Sequence, residues 1–242
     1  MTLQLLHRPL GRADYQSTWD LQRALRARLL AEGGPDTLLT VEHPPVLTAG
    51  RRAAEEHLTT SRADLAARGV LLQAIERGGD WTYHGPGQLV AYPIVALRRR
   101  RLGARAFVGA LQDTMRALGE RAIAATGVSL PEGSLDVRCD APGTWFVRPD
   151  GSTAKLGAVG VHISHGVTMH GFALNLDPEP WGFAWIVPCG LADEETTSLA
   201  RVVVELGGDP SRLPSMESLA GWVPEVLGDA LAARQRAPSA SE

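Results

Sequence analysis

The sequence predicts one α+β domain, a mixed β-sheet flanked by helices. Two observations carry that expectation. Segments with apolar residues at helical spacing are interspersed with short β-type runs. No repeat, linker or low-complexity tract divides the chain. With 242 residues, 44% hydrophobic and 21% charged, the composition is that of an ordinary globular protein and excludes disorder and collagen-like architecture.

The elements follow in order. Ser17 to Glu32 places Leu21, Leu25 and Leu29 on one helical face and stops at Gly33, Gly34 and Pro35. Thr37 to Glu42 reads as a strand, and beyond the turn at Pro44 and Pro45 a short extended segment runs to Gly50. Ser61 and Asp64 resemble a capping box for a short helix ending at Gly69. Val70 to Ile75 and Leu89 to Ile94 are strands, so Arg77 to Gln88 reads as a long polar connection. Arg98 to Arg101 reads as a solvated approach to a long helix, about Arg105 to Thr126, stopped by Gly127. A contact of this run with an acidic partner has an electrostatic motive. The turn Pro149-Asp150-Gly151 joins Trp145–Val147 to Leu156–Ile163 as a hairpin, with Lys155 near the start of its second strand. Val167 to Leu176, apolar on both faces, is expected to be central. A helix over about Met216 to Arg234 closes the fold.

Charge and cysteine usage narrow the function classes. A formal net charge of −3 argues against a protein that coats nucleic acid. The longest apolar stretch, Leu89 to Leu97, is short and broken by Pro93, and Met1 to Arg12 lacks the pattern of a secretory signal, so a cytoplasmic protein without a membrane span is expected. Cys139 and Cys189 are too few for a disulfide scaffold or a thiolate zinc site. His162, His165 and His170 lie close together, but Val161 to Phe172 supplies no carboxylate or thiolate, so no metal is called for.

Two residues stand out as candidate chemistry. Of the 24 basic residues only Lys155 is a lysine, and unlike Arg a Lys can lose its proton near neutral pH when its surroundings favour that. Cys189, in Pro188-Cys189-Gly190, has an open setting, whereas Cys139 is followed by Asp140 in a polar stretch whose carboxylates disfavour a thiolate. The connection from Arg77 to Gln88 fits neither GxxxxGK[ST] nor GxGxxG, so a phosphate cradle is not supported. Its Trp81, Thr82, Tyr83 and His84 suit a pocket that is apolar along its length and polar at one end.

Five blocks carry a resemblance: Glu42-His43-Pro44-Pro45-Val46; Arg77-Gly78-Gly79 through Thr82-Tyr83-His84-Gly85-Pro86-Gly87-Gln88; Lys155-Leu156-Gly157; His170-Gly171-Phe172-Ala173-Leu174-Asn175; and Pro188-Cys189-Gly190. In order and spacing they resemble the lipoyl(octanoyl) transferases, from about Leu10 to Leu199. Ala237 to Glu242 reads from its own composition as a flexible tail, and the resemblance implies a fold similar to the biotin and lipoate protein ligase catalytic domain, here residues 1–236. It implies transfer of an octanoyl group from acyl carrier protein to a lysine of lipoyl domains, those of 2-oxoacid dehydrogenase E2 subunits and the glycine cleavage H protein, with no cofactor. Carried over by motif, Cys189 is the thioester nucleophile and Lys155 the residue that lowers its pKa and shuttles protons. The acyl pocket is implied at Arg77, Gly78, Gly79, Asp80, Trp81, Thr82, Tyr83 and His84, at Ala158, Val159 and Gly160, and at Gly171, Phe172 and Ala173. His162 and His165 stand where many members carry Arg, which bears on contacts to the incoming carrier. Nothing asks for an obligate dimer, so a monomer is expected. An ATP-dependent ligase on the same fold, a non-catalytic acyl- or lipoyl-domain-binding module and a cysteine hydrolase with His170 or His84 as base are the rival readings.

Overall fold

The computed structural model describes residues 5–138, 140–187 and 195–236. Cys139, Cys189 and the tail from Ala237 lie outside the described residues. The chain begins with strand β1 (Leu5–Arg12) and helix α1 (Tyr15–Ala31). Asp14 caps that helix by accepting a hydrogen bond from the Ser17 amide. Strands β2 (Asp36–Glu42) and β3 (Val46–Ala49) follow, then a short helical turn over Glu55–His57, helix α2 (Arg62–Ala67) and strand β4 (Leu71–Ala74). The Ser61 hydroxyl accepts from the Asp64 amide at the start of α2, which is the expected cap.

The connection expected over Arg77 to Gln88 contains a strand of its own, β5 (Trp81–His84), before β6 (Gln88–Ile94). Helix α3 (Ala104–Thr126) ends at Gly127, whose φ of 84° supplies the left-handed cap that a side chain would disfavour. Strands β7 (Leu135–Arg138), β8 (Gly143–Val147), β9 (Thr153–Ser164) and β10 (Val167–Asn175) form a meander. Strand β11 (Glu195–Thr196), helix α4 (Leu199–Glu205) and helix α5 (Met216–Arg236) complete the described chain.

The strands make two sheets. The larger runs β1-β2-β6-β10-β9-β8-β7, with β11 also paired to β9, and the smaller runs β4-β3-β5. Among the described residues only β1 with β2, β3 with β4 and β11 with β9 pair in parallel, so this is the mixed sheet expected. Strand β10 is buried along its whole length between β6 and β9, as its two apolar faces require. One face of the large sheet packs against α3, α4 and α5 through Phe107, Leu111, Met115, Leu118, Val202, Leu219, Val223 and Leu227. On the other, α1 covers Leu39, Val41, Tyr92 and Met169.

The basic run is partly structural. Asp36, 1% exposed, accepts from the Ala96 amide at 2.9 Å and from Arg99 at 2.8 Å, and it pairs with Arg100, which is itself buried. Two of the four arginines from Arg98 to Arg101 are therefore tied into the join between β2 and the segment after β6, which corrects the reading of this run as solvated. Removing one partner of a buried ion pair costs about 3–5 kcal/mol. Asp36→Ala should lower stability by that amount in urea denaturation, and a loss below about 1 kcal/mol would show that Arg99 and Arg100 find equivalent solvation without it.

Candidate active site

A cavity lies between the two sheets. The small sheet contributes Trp81, Thr82 and His84 from β5, and the large sheet contributes Val90 and Tyr92 from β6, Ala158, Val159 and Gly160 from β9, and His170, Gly171, Phe172 and Ala173 from β10. Arg77, Gly78, Gly79 and Asp80 close one side, and Tyr15 of α1 another. The Arg77 side chain, buried, donates to the Thr48 carbonyl at 2.6 Å and to the Gly78 carbonyl at 3.0 Å. The Gly78 amide donates to Val161 at 3.0 Å and so fastens this loop to β9. At Gly171 a Cβ would lie 2.1 Å from the Ala91 carbonyl oxygen, so the wall admits no side chain there.

All of the pocket residues named from the sequence border this cavity except Tyr83. Its ring points away, into a separate aromatic cluster with Trp181, Phe183 and Trp185. The cause is strand alternation: Thr82 and His84 face the cavity, so the residue between them faces the other side. The Trp81 ring also packs in that cluster, with its Nε1 donating to the Ala54 carbonyl at 2.8 Å. Tyr15, Val90, Tyr92 and His170 border the cavity without having been singled out as lining residues. Their contributions come from three different elements, α1, β6 and β10, and only tertiary topology unites them.

A polar relay connects two of the blocks that carry the resemblance. His84 donates through Nδ1 to Gln88 Oε1 at 2.6 Å, Gln88 donates to Asn175 Oδ1 at 2.9 Å, and Asn175 donates to the Thr197 carbonyl at 2.9 Å. The relay crosses from β6 to β10 where Asn175 and Gln88 stand opposite each other in register.

It ends beside Lys155. This lysine, 8% exposed, stands in register with Trp145 of β8 on one side and Thr196 of β11 on the other. Its Nζ lies 5.0 Å from the centre of the Trp145 ring, a cation–π distance. A Cβ at Gly143 would lie 3.1 Å from Lys155 Cε, so the small residue there leaves the lysine its path. Lys155 faces an outer chamber of about 700 Å³, bordered also by Arg52, His57 and Asp140, which shares Gly78, Gly79, Asp80, Val159 and Gly160 with the inner cavity. Both ends of the segment that contains Cys189 are anchored here. Val187 donates to the His57 carbonyl at 2.8 Å, and Thr197 donates to the Lys155 carbonyl at 2.9 Å.

The lipoyl protein ligase A/B catalytic domain model matches residues 14–209. The chain belongs to that family. Curated octanoyltransferases are 43% identical in Chloroflexus aggregans, over 86% of this chain and 87% of that protein, and 40% identical in Desulfotalea psychrophila, over 91% and 92%. The mitochondrial octanoyltransferase LIP2 of Arabidopsis thaliana is 40% identical over 79% of this chain and 76% of its own. Among solved structures, the bi-partite lipoate protein ligase of Thermoplasma acidophilum superposes with a TM-score of 0.61 at 13% identity, over 95% of this chain and 85% of that one. At that identity the likeness is one of fold. The expected ligase-like α+β fold is thus the observed one, and the matched span contains all five blocks that carry the resemblance.

Among the described residues of this family member, no group of three or more His, Cys, Asp or Glu side chains is placed to hold a metal ion. No helix among them is long and apolar enough to cross a membrane. His162 instead faces Arg51, with Nδ1 3.2 Å from its guanidinium, and His165 sits in the β9–β10 turn with a φ of 53°. His170 has a φ of 58°, which turns its amide toward the side chain of Gln22 at 2.8 Å.

Burial sets the charge state at the cavity's inner end. Burial is the main cause that pushes His84 down to about 3, with neighbouring His43 and Arg77 adding to it. His43 falls to about 4, again chiefly through burial. Its Nδ1 donates to the Ala13 carbonyl at 2.8 Å, so Nε2 accepts from the Tyr92 hydroxyl at 3.0 Å. Both imidazoles are therefore neutral when folded, while unfolded they titrate near 6.5. Below pH 6.5 the unfolded chain binds protons that the folded one refuses, so this stabilisation is complete above pH 6.5 and is lost as pH falls toward 4 and 3. His43→Gln, which can still donate to Ala13 and accept from Tyr92, should flatten the fall in urea stability between pH 6.5 and 4.5 by up to about 1 kcal/mol per pH unit. An unchanged slope would mean that His43 is protonated in the fold.

Proposed function

We propose that this chain transfers an octanoyl group to lipoyl domains for protein lipoylation, with the acyl chain in the inner cavity and the reaction at its junction with the outer chamber. The observation that carries the reading is the placement of the single lysine, buried beside that junction on the strand paired to the end of the Cys189 segment. The donor is octanoyl-acyl carrier protein, and the acceptors are lysines of the lipoyl domains of 2-oxoacid dehydrogenase E2 subunits and of the glycine cleavage H protein.

The chemistry is balanced without ATP. The Cys189 thiolate attacks the donor thioester, the carbon–sulfur bond to the carrier breaks, the departing thiolate takes a proton from the Lys155 ammonium and leaves as a thiol, and an enzyme thioester replaces a carrier thioester at little cost. The acceptor amine then attacks the new thioester, and amide formation makes the second step downhill. Lys155 as ammonium stabilises the Cys189 thiolate, and as free amine it accepts a proton from the attacking nitrogen. Arginine can serve only the first of these roles.

Intact mass spectrometry after mixing with octanoyl-acyl carrier protein should show one octanoyl adduct, formed without ATP and absent from Cys189→Ser. Lys155→Arg should lose about 10²-fold or more in turnover while melting near the wild-type temperature. An adduct that persists in Cys189→Ser or maps to Cys139, or full turnover in Lys155→Arg, would overturn the assignment. A strict requirement for ATP would favour the ligase reading.

A further inference from the structure

The outer chamber holds a second set of groups arranged for proton transfer. Asp80, its side chain 9% exposed, accepts hydrogen bonds from the Trp81 amide at 2.8 Å and the Ala54 amide at 3.2 Å, and it also pairs with His57 Nδ1. A carboxylate accepts, so Nδ1 carries the proton and the lone pair of the neutral ring lies on Nε2. The His57 side chain is 29% exposed and borders the chamber that Lys155 also borders. Its main chain is fixed too: the His57 carbonyl accepts from Val187, and Thr59 donates to the Trp185 carbonyl at 2.9 Å. A buried acid that orients a half-buried imidazole toward an open site is the arrangement of an oriented general base.

We propose that His57, positioned by Asp80, accepts the proton that the incoming lysine must shed before it can attack. The inference rests on the transfer reading above and adds a group to its second step. A lysine reaches the chamber as an ammonium, and its conversion to an amide releases two protons. The first leaves the ammonium and frees the nitrogen lone pair. The second leaves that nitrogen as the carbon–nitrogen bond forms and the carbon–sulfur bond breaks. Lys155 as a free amine takes one of these and ends as the ammonium beside the regenerated thiolate. The other needs a separate acceptor, which His57 Nε2 provides before passing the proton to water. The charged groups around it are Arg52, Lys155 and Asp140 of the chamber, Asp80 behind the ring, and Glu56 and Glu55 on its own turn, Glu55 being paired with Arg62.

The test separates the two half-reactions. His57→Asn keeps a donor for Asp80 and removes the base, and His57→Gln serves as a second variant should the first fold poorly. Each is loaded with octanoyl from the carrier, and the adduct is then chased in single turnover either with a lipoyl domain or with hydroxylamine, which is an uncharged nucleophile at neutral pH. Loading and the hydroxylamine chase should stay within about twofold of wild type. The lipoyl-domain chase should slow by about 10², with the deficit shrinking roughly tenfold per pH unit as the lysine loses its proton in solution. Asp80→Asn should slow the same chase with the same pH dependence. Equal losses in loading and in both chases, or an unimpaired lipoyl-domain chase, overturn the proposal. If wild type forms no adduct at all, the cysteine reading falls first and takes this inference with it.

Discussion

The register of β9 is the constraint on which the site depends. Its first half pairs with β8 and β11, which places Lys155 opposite Trp145 and Thr196, and its second half pairs with β10, which places Ala158 and Gly160 opposite Ala173 and Gly171. One strand therefore supplies both the ionisable group beside the chamber and a wall of the cavity. Because side chains alternate across a strand, a slip of one residue would turn Lys155 away and reverse the wall with it. Several features hold the register: the close approach of Gly143 to Gly157, the hydrogen bond from Gly78 to Val161, and the helix α3 core, in which Met115 and Leu118 pack in one cluster with Leu156.

The separation of the characteristic blocks along the chain has a physical reason. Glycines and polar residues from β5, β6, β9 and β10 meet because antiparallel pairing brings Gln88 opposite Asn175 and Gly171 opposite Gly160. The relay from His84 to Thr197 satisfies buried amides that would otherwise each cost about 1–3 kcal/mol. It also couples the inner end of the cavity to the strand beside Lys155, so the shape of the one is not independent of the placement of the other.

Much of the fold was legible in the sequence because its signals are local. Gly127 ends α3, Ser61 caps α2, Pro149-Asp150-Gly151 turns β8 into β9, and the two-sided apolar run of β10 marks its central position. What escaped is what pairing alone creates. Strand β1 alternates partly buried and exposed residues and is a strand because β2 lies beside it. Strand β5 sits among glycines, and its order comes from β3. Helix α4 is only seven residues long and buries Leu199, Val202 and Val203 against α3. The same division holds at the site. Most of the residues that border the cavity were nameable through resemblance, whereas Tyr83, named with them, faces the other side of β5, as the period of two requires. His57 gave no signal, because its partner Asp80 is 23 residues away and only the loop geometry brings them together.

The imbalance between arginine and lysine acquires a structural meaning. Arg77, Arg99, Arg100, Arg148 and Arg234 are all engaged with carbonyls or carboxylates, roles for which a permanently charged, planar donor set is well suited. A charge that never leaves is a fault only where a proton must move. The one lysine is largely removed from water and faces the ring of Trp145, at the place where the proposed transfer has a proton move. The proposed roles, stabilising a thiolate and then accepting a proton, ask for a cation that can also exist as an amine, which arginine cannot.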